Sequence, residues 1–424
     1  MLKRIIGLML LFLSQPLFAQ NLIEIYQLAL TQDTQLKISE SRFQSTQQAL
    51  PLAKADRYPQ ISLSANITGI DSDNDVNDGN SRGFSITLLQ NLYNAQTIAA
   101  IDVAEAKVAQ MQAELEASRQ NLIIRVAQHY FDILAADDNV KFAIAEKNAI
   151  ARQLEQAQKR FEVGLMAITD VREAQALFDS AVAQQLLAEN RLENAYQALQ
   201  VMIAQPPSRA LARLGDQLEL NIPAPVDSTK WVELALQNNR SLVSSLAALN
   251  IARHTRTQQS QGHYPTVDFN ARYNNTDSNS HQQDTTLSIE LNMPLYTGGR
   301  LDAAKQQAEF DYQAARQATI LQQRLISQQT RNAYLGVVSG ISQVKALNQA
   351  LNSSTTAFDA TEAGFEVGTR TSVDVLVSLR ETYRAQRDYA SARYDYLLNI
   401  LQLKQAAGLL NIKDLAQINQ ALTQ

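Results

Sequence analysis

Two segments of the chain, residues 60–93 and 265–296, alternate apolar and polar residues with a period of two. Each segment contains two such runs, separated by a loop rich in Asp, Asn and Ser. This period is typical of a strand with one apolar and one polar face, and the loop composition favours a turn. The pattern therefore predicts two β-hairpins. Strands of about ten residues suit a tilted transmembrane barrel, although a soluble sandwich would show the same alternation.

The remainder of the chain follows the helical period. Apolar residues at helical spacing predict one helix over residues 22–55, because no strong helix breaker precedes Pro51. After each hairpin, a proline-free stretch rich in Ala, Gln and Glu predicts a very long helix, from about Ala95 to Arg160 and from about Leu301 to Gly364. At roughly 1.5 Å per residue, each helix would span about 100 Å. We expect such helices to pack side by side in a coiled-coil-like array.

A short signature occurs twice, as FEVGLMAITDV at Phe161–Val171 and as FEVGTRTSVDV at Phe365–Val375. Gly is the usual residue at the left-handed end of a helix, and the Thr and Asp that follow suit a new helix N-cap. Each copy therefore predicts a reversal between two helices. Other landmarks repeat at a similar offset, such as Tyr58 with Tyr264. The chain is predicted to be a tandem duplication in which each half contains a helix, a hairpin, a long helix, a turn and a helix.

These patterns divide the chain into five segments, with a proline-rich linker between the halves. The expected segments are a signal peptide (1–19), a first repeat (20–204), the linker (205–230), a second repeat (231–407) and a C-terminal tail (408–424).

The N-terminus and the composition narrow the class of protein. Residues 1–19 combine a basic start, an apolar stretch and a small-residue processing context, as secretory signal peptides do. An uncleaved membrane anchor is the alternative, but its apolar run is well short of the roughly 20 residues that a spanning helix needs. Cysteine is absent, which excludes disulfides and Cys-based metal sites, and the net charge of −5 argues against a general nucleic-acid partner.

The four predicted strands cannot close a barrel alone, since the smallest outer-membrane barrels have about eight. Three identical chains would supply about twelve strands, which lies within the observed range. Four tyrosines flank the strands on the side joined to the helices, where either an interfacial aromatic girdle or turn packing would place them. These residues are Tyr58, Tyr93, Tyr264 and Tyr296.

Three passages carry a more specific likeness: Arg160–Val171, Met293–Arg300 with the sequence MPLYTGGR, and Ala363–Leu403. In combination they resemble the TolC family of outer-membrane efflux proteins, and the similarity covers essentially the whole mature chain. The resemblance implies a mainly α homotrimer with a β-barrel part. Each protomer would give four strands to a shared twelve-stranded outer-membrane barrel. A long α-helical tunnel would continue the barrel through the periplasm, and the linker and tail would form an equatorial belt.

The resemblance also implies function and partners. The chain would be the exit duct of a tripartite efflux pump or of a type I secretion system, and drug efflux and protein secretion both stay open. An inner-membrane pump of the RND, ABC or MFS type would join it through a periplasmic adaptor protein, and outer-membrane lipid would surround the barrel. No cofactor is expected. The family meets its adaptor at positions that match Gly164, Leu165, Met166, Gly368 and Thr369, although exposed Leu and Met could equally pack a hairpin.

Polar links between the two turns hold the periplasmic end closed in the family, and Thr169, Asp170 and Arg370 fall on the matching positions. An Arg–carboxylate link contributes about 1.5 to 3 kcal/mol if shielded, but under about 1 kcal/mol if exposed. The family often has Tyr where this chain has Phe365. Because Phe365 has no hydroxyl group, we expect one hydrogen bond fewer in this latch.

Asp374 matches an acidic ring at the narrowest point of the family's tunnel, where three carboxylates would attract cations. Helix N-capping is the alternative for both Asp170 and Asp374, and a carboxylate can serve both purposes. Some members carry a second acid one turn later, where this chain has Val377. We therefore expect weaker block by multivalent cations than in channels with two acidic rings.

Two other classes of protein explain less of the sequence. In an enzyme the histidines would be candidates, but His129 and Asp132 have the spacing of a surface pair on a helix. No two histidines form a metal-binding pair on one face, so we expect no catalysis. A periplasmic coiled-coil scaffold would explain the long helices and the export signal, yet it leaves the two alternating hairpins unexplained.

Overall fold

The structure, a computed structural model, describes residues 19–70, 79–215, 218–278 and 280–423. Apart from Ala19, the predicted signal peptide lies outside the described residues, as does most of the first hairpin loop. The chain divides into two compact units. Of the described residues, unit 1 comprises those within 1–37, 118–237 and 327–424, and unit 2 comprises those within 38–117 and 238–326.

The secondary structure of the described residues follows the predicted order in both halves. The first half contains α1 (Leu22–Gln32), α2 (Thr34–Gln47), α3 (Ala49–Ala55), β1 (Gln60–Ile70), β2 (Gly79–Tyr93), α4 (Ala95–Glu162), α5 (Ile168–Ile203) and β3 (Arg213–Leu214). The second half contains α6 (Ser228–Asn238), α7 (Arg240–Ser260), β4 (Thr266–Asp277), β5 (His281–Asn292), α8 (Arg300–Glu366), α9 (Ser372–Ala406), α10 (Ile412–Gln420) and β6 (Leu422–Thr423). The two long helices are thus confirmed as α4 and α8.

The prediction of a single helix over residues 22–55 is wrong, because the helix is interrupted at Asp33 and again at Gln48. The carboxylate of Asp33 accepts a 2.7 Å hydrogen bond from the backbone N–H of Leu36, which caps the start of α2. Arg125 donates two hydrogen bonds of 2.9 and 2.8 Å to the same buried carboxylate. A local cap held by a tertiary ion pair therefore outweighs helical periodicity here.

Unit 2 contains an antiparallel sheet of four strands in the order β1-β2-β4-β5. Its register places Ile61 opposite Leu88, Leu88 opposite Ala271, and Ala271 opposite Leu287. Because side chains alternate between the faces of a sheet, the apolar residues of all four strands share one face. That face is exposed: Ile61 and Leu287 keep 71% and 68% of their surface. A soluble sandwich would bury these residues, so the structure favours a face that meets lipid.

Helices α7 and α8 of unit 2 contact each other through polar side chains. Arg256 of α7 forms a 3.2 Å salt bridge with Glu309 of α8 and stacks on the ring of Tyr312. The hydroxyl groups of Ser245 and Thr319 lie 3.3 Å apart between the same two helices. Among the described residues, we find no helix whose apolar stretch is long enough to cross a membrane.

The core of unit 1 is built around buried aromatic side chains. The hydroxyl group of Tyr130 donates a 2.7 Å hydrogen bond to the carbonyl of Ala212, and Phe131 stacks on Tyr394 with ring centroids 5.7 Å apart. Beside this core, β3 of the linker pairs with β6 of the C-terminal tail. The two segments expected to form the belt therefore meet in one small sheet, while the equatorial position of that sheet stays a prediction.

A second cluster in unit 1 packs α4, α5 and α9 together near the two copies of the signature. Its buried members are small or aliphatic, which lets the helices approach closely. They are Ala149, Ile150, Leu154, Ala174, Ala181, Leu376 and Leu379. This cluster fixes the helices from which the two signature turns project.

Candidate functional site

The first tip, residues 161–171, reverses the chain between α4 and α5. Gly164 has a φ of +75°, a conformation that strains any residue with a side chain. The backbone N–H of Leu165 donates a 2.8 Å hydrogen bond to the carbonyl of Arg160, which closes the end of α4. The reversal predicted at this glycine is confirmed.

The second tip, residues 365–375, reverses the chain between α8 and α9 in the same way. Gly368 has a φ of +79°, and the backbone N–H of Thr369 donates a 2.8 Å hydrogen bond to the carbonyl of Gly364. The hydroxyl group of Thr369 donates a further 3.0 Å hydrogen bond to that carbonyl. The two copies of the signature therefore share one turn geometry.

The helices that follow the two tips begin differently. In the second tip, the Thr371 hydroxyl accepts a 3.2 Å hydrogen bond from the backbone N–H of Asp374. The Asp374 carboxylate in turn accepts 2.9 Å hydrogen bonds from the backbone N–H and the hydroxyl group of Thr371. In the first tip the N-cap residue is Ala167, which makes no side-chain cap. The prediction of a Thr and Asp cap is thus confirmed for Asp374 and wrong for Asp170.

The cap also affects the acidity of Asp374. The hydrogen bonds from the backbone N–H and the hydroxyl group of Thr371 lower the pKa of the Asp374 carboxyl below its ordinary value. The positive charge of Arg370 lowers that pKa further. The carboxyl of Asp374 therefore keeps its charge to a lower pH than an uncapped Asp would. Val377 lies one turn later and keeps half of its surface exposed, so this helix presents one acid beside an apolar residue.

The latch residues predicted from the sequence are not joined within one protomer. Within the ranges that the structure describes, no hydrogen bond or salt bridge links Arg370 to Thr169 or Asp170. The Thr169 hydroxyl instead lies 3.4 Å from the carboxylate of neighbouring Asp170. Arg370 is exposed, and its backbone N–H donates a 3.2 Å hydrogen bond to the carbonyl of Gly364.

Phe365 lies in a contact that sequence reasoning missed. Its ring is only 9% exposed, and the guanidinium carbon of Arg160 lies 4.4 Å from the ring centroid. This distance is typical of a cation–π interaction. Arg160 stands at the position of the first copy that corresponds to Gly364 in the second. This difference between Arg160 and Gly364 is the sequence signal from which the contact could have been suspected.

The residues expected to meet an adaptor lie at the surface of the two turns. Leu165 keeps 77% of its surface exposed, Thr369 is exposed, and Met166 is half-buried. A Cβ atom placed on Gly164 or Gly368 would meet no other atom within 4 Å. Both turns are therefore open to a partner.

Histidine and acidic side chains are the remaining candidates for a metal site. Among them, no group of three or more His, Asp or Glu side chains could hold a metal ion. His254 lies 3.8 Å from Asp102 and His263 lies 3.5 Å from Asp302, each as an isolated pair.

Comparison with known proteins places this geometry in a wider group. A family model described as outer membrane efflux protein matches residues 25–205 and 231–409, one segment in each half of the duplication. The outer membrane protein TolC of Vibrio cholerae is 38% identical over 419 residues, which cover 97% of this chain and 95% of the relative. TolC of Escherichia coli K12 is 30% identical and covers 100% of this chain and 89% of the relative.

The fold is also shared with solved structures. A crystal structure of CusC, described in connection with transmembrane channel formation, superposes with a TM-score of 0.81. The match covers 92% of both chains at 17% sequence identity. A likeness at this level of identity shows the architecture.

Proposed function

Because this chain belongs to the outer membrane efflux protein family, we propose that its two tips form the closable periplasmic end of an outer-membrane channel. The chain is an exit duct in the outer membrane, through which efflux and secretion substrates pass to the exterior. The observation that carries this function is the amphipathic sheet, whose exposed apolar face suits lipid and whose polar face suits a watery lumen. No enzymatic step is part of the proposal.

The channel would be a homotrimer. Strands β1 and β5 are the edges of the sheet, and exposed strand edges tend to pair with another chain. Three copies would bring about twelve strands together, which is a size that closes around an aqueous lumen. Each copy would then contribute one pair of tips to a threefold ring.

The latch would form between neighbouring copies. Arg370 is exposed and has no link to Thr169 or Asp170 within the described part of its own protomer. In a threefold ring, the second tip of one copy would face the first tip of the next. An Arg–carboxylate link of this kind contributes from under about 1 kcal/mol when exposed to about 3 kcal/mol when shielded. Three such links would hold the ring closed.

Asp374 would form an acidic ring just inside the latch. The cap lowers the pKa of this carboxyl, and three carboxylates close together would attract cations into the opening. Only one oxygen of the carboxylate accepts the hydrogen bonds of the cap. The other oxygen is available to an ion in the lumen.

The tips would dock a periplasmic adaptor protein, which joins the channel to an inner-membrane pump. The support for this role is the exposed apolar Leu165 at one turn and the small, open surface at Gly164, Gly368 and Thr369. An apolar side chain at the summit of a turn suits burial against a partner helix.

Single-channel conductance of the purified protein in a planar bilayer tests this function. We expect small, steady, cation-preferring openings that become larger in Arg370→Ala, and block by a divalent cation added on the periplasmic side. Well-folded trimers that conduct no current would contradict the channel and favour a periplasmic scaffold. A channel whose conductance is the same in Arg370→Ala would contradict the latch alone.

A further inference from the structure

The last turns of α4 and α8 touch through the side chains of Arg160 and Phe365. The guanidinium carbon lies 4.4 Å from the ring centroid, and Phe365 is 9% exposed. The corresponding phenylalanine of the first tip, Phe161, is 41% exposed. The same residue type in the same signature is therefore shielded in one copy, where a cation covers its face, and exposed in the other.

Arg160 and Phe365 each also accept a backbone hydrogen bond from the turn that follows them. The carbonyl of Arg160 accepts the 2.8 Å hydrogen bond from Leu165, and the carbonyl of Phe365 accepts a 3.1 Å hydrogen bond from the backbone N–H of Gly368. A contact between the two side chains consequently couples the turn of the first tip to the turn of the second within one protomer.

Gly364 connects the contact between Arg160 and Phe365 to Arg370. A Cβ atom built on Gly364 would lie 2.9 Å from the Cγ atom of Arg370, so the stem of Arg370 rests against bare backbone there. Phe365 is the next residue in the chain. Fixing the ring of Phe365 therefore fixes the surface on which Arg370 lies.

We propose that Arg160 is a positioning residue of the closed state. By covering the ring of Phe365, it ties the last turn of α8 to that of α4 and sets the direction of Arg370. The inference rests on the proposed gate, because it assigns Arg160 a part in the same closure.

A double-mutant cycle in the full-length trimer tests the contact. The variants are Arg160→Gln, Phe365→Leu and the two combined, measured by conductance in planar bilayers. A cation–π contact at this exposure favours the closed state about two- to fivefold per protomer. We expect each single variant to raise the open fraction by that factor for each protomer that takes part in opening, and the double variant to raise it no further than either single variant.

Two substitutions separate the cation–π contact from simple packing. Phe365→Trp keeps a ring that binds cations well and is expected to keep the wild-type open fraction, whereas Phe365→Leu loses it. Lys159→Gln removes a charge from the same turn of α4. Lys159 is paired with Glu155 at 2.6 Å instead, so this control should leave the conductance unchanged.

The possible outcomes distinguish this inference from the gate itself. If Arg370→Ala opens the channel and Arg160→Gln does not, the gate stands and the role of Arg160 is wrong. Additive effects of the two single variants would overturn the coupling, and so would a Phe365→Trp channel as open as Phe365→Leu. If neither Arg370→Ala nor Arg160→Gln changes the conductance, the gate and the inference fall together.

Discussion

The first and second tips share six residues of one eleven-residue signature and the same left-handed glycine, yet they differ in chemistry. The first carries Met166 and Ala167 where the second carries Arg370 and Thr371. As a result, the second tip begins its helix with a reciprocal cap, while the first begins without a side-chain cap. The two copies thus have the same turn geometry. They differ in the residues at the top of the turn, which are apolar in the first copy and polar and charged in the second.

The same difference separates the two acids. Asp170 and Asp374 occupy equivalent positions, but only Asp374 accepts hydrogen bonds from an N-cap residue. The carboxylate of Asp170 is therefore suited to bind a group from another chain. The carboxylate of Asp374 is held by the cap, which suits the proposed ring of charges.

The largest effect should come from the apolar summit of the first tip. We expect Leu165→Asp to abolish efflux in cells, because a charge at this exposed position would have to be buried without a partner at the adaptor interface. Thr369→Asp, the matched change in the second tip, should reduce efflux less, since that position is already polar. Trimer assembly should be intact in both variants. Normal efflux with Leu165→Asp would remove the docking role.

The acidic ring predicts the next largest effect. In Asp374→Ala, conductance should become insensitive to a divalent cation that blocks the wild-type channel, because the ring of carboxylates is lost. Asp170→Ala serves as the matched change in the first tip and should keep the block. Strong block that persists in Asp374→Ala channels would contradict the ring.

The cap affects the pH below which the ring loses its charge. Since hydrogen bonds from Thr371 lower the pKa of Asp374, cation block in the wild type should persist as the pH falls and disappear only when the carboxyl is protonated. Thr371→Val keeps the shape of the side chain but removes its hydroxyl group, so the pKa should rise and block should disappear at a higher pH. Identical pH profiles of block would show that the cap does not set the charge.

The smallest expected effect comes from adding a side-chain cap to the first tip. Ala167→Thr places a hydroxyl group three residues before Asp170, as in the second tip, and should stabilise the start of α5 by about 1 kcal/mol. The Asp170 carboxylate would then be engaged locally, and the open fraction of the channel should rise slightly. Ala167→Val, which adds similar bulk without a hydroxyl group, should show neither effect in thermal unfolding or conductance.

Much of this architecture could be predicted from the sequence because its signals are periodic. The two-residue alternation marked both hairpins, and proline-free stretches marked α4 and α8. The prediction of one helix over residues 22–55 was wrong because the break at Asp33 depends on Arg125, a residue far along the chain. The hydrophobic periodicity of one segment carries no information about a partner so distant in the sequence.

At the tips, helix caps are easier to infer from the sequence than contacts between distant segments. The cap in the second copy follows from Thr371 standing three residues before Asp374, and its absence in the first follows from Ala167. The contact of Arg160 with Phe365 joins residues of different repeats. No spacing rule identifies such a pair.

The most direct test of the account is whether the first tip of one copy meets the second tip of the next. The chain has no cysteine, so Asp170→Cys and Arg370→Cys can be combined without other changes. On oxidation, we expect covalent trimers on a non-reducing gel and a channel that conducts only after reduction, while neither single variant gives trimers. Monomers with unchanged conductance after oxidation would contradict a gate closed between neighbouring copies.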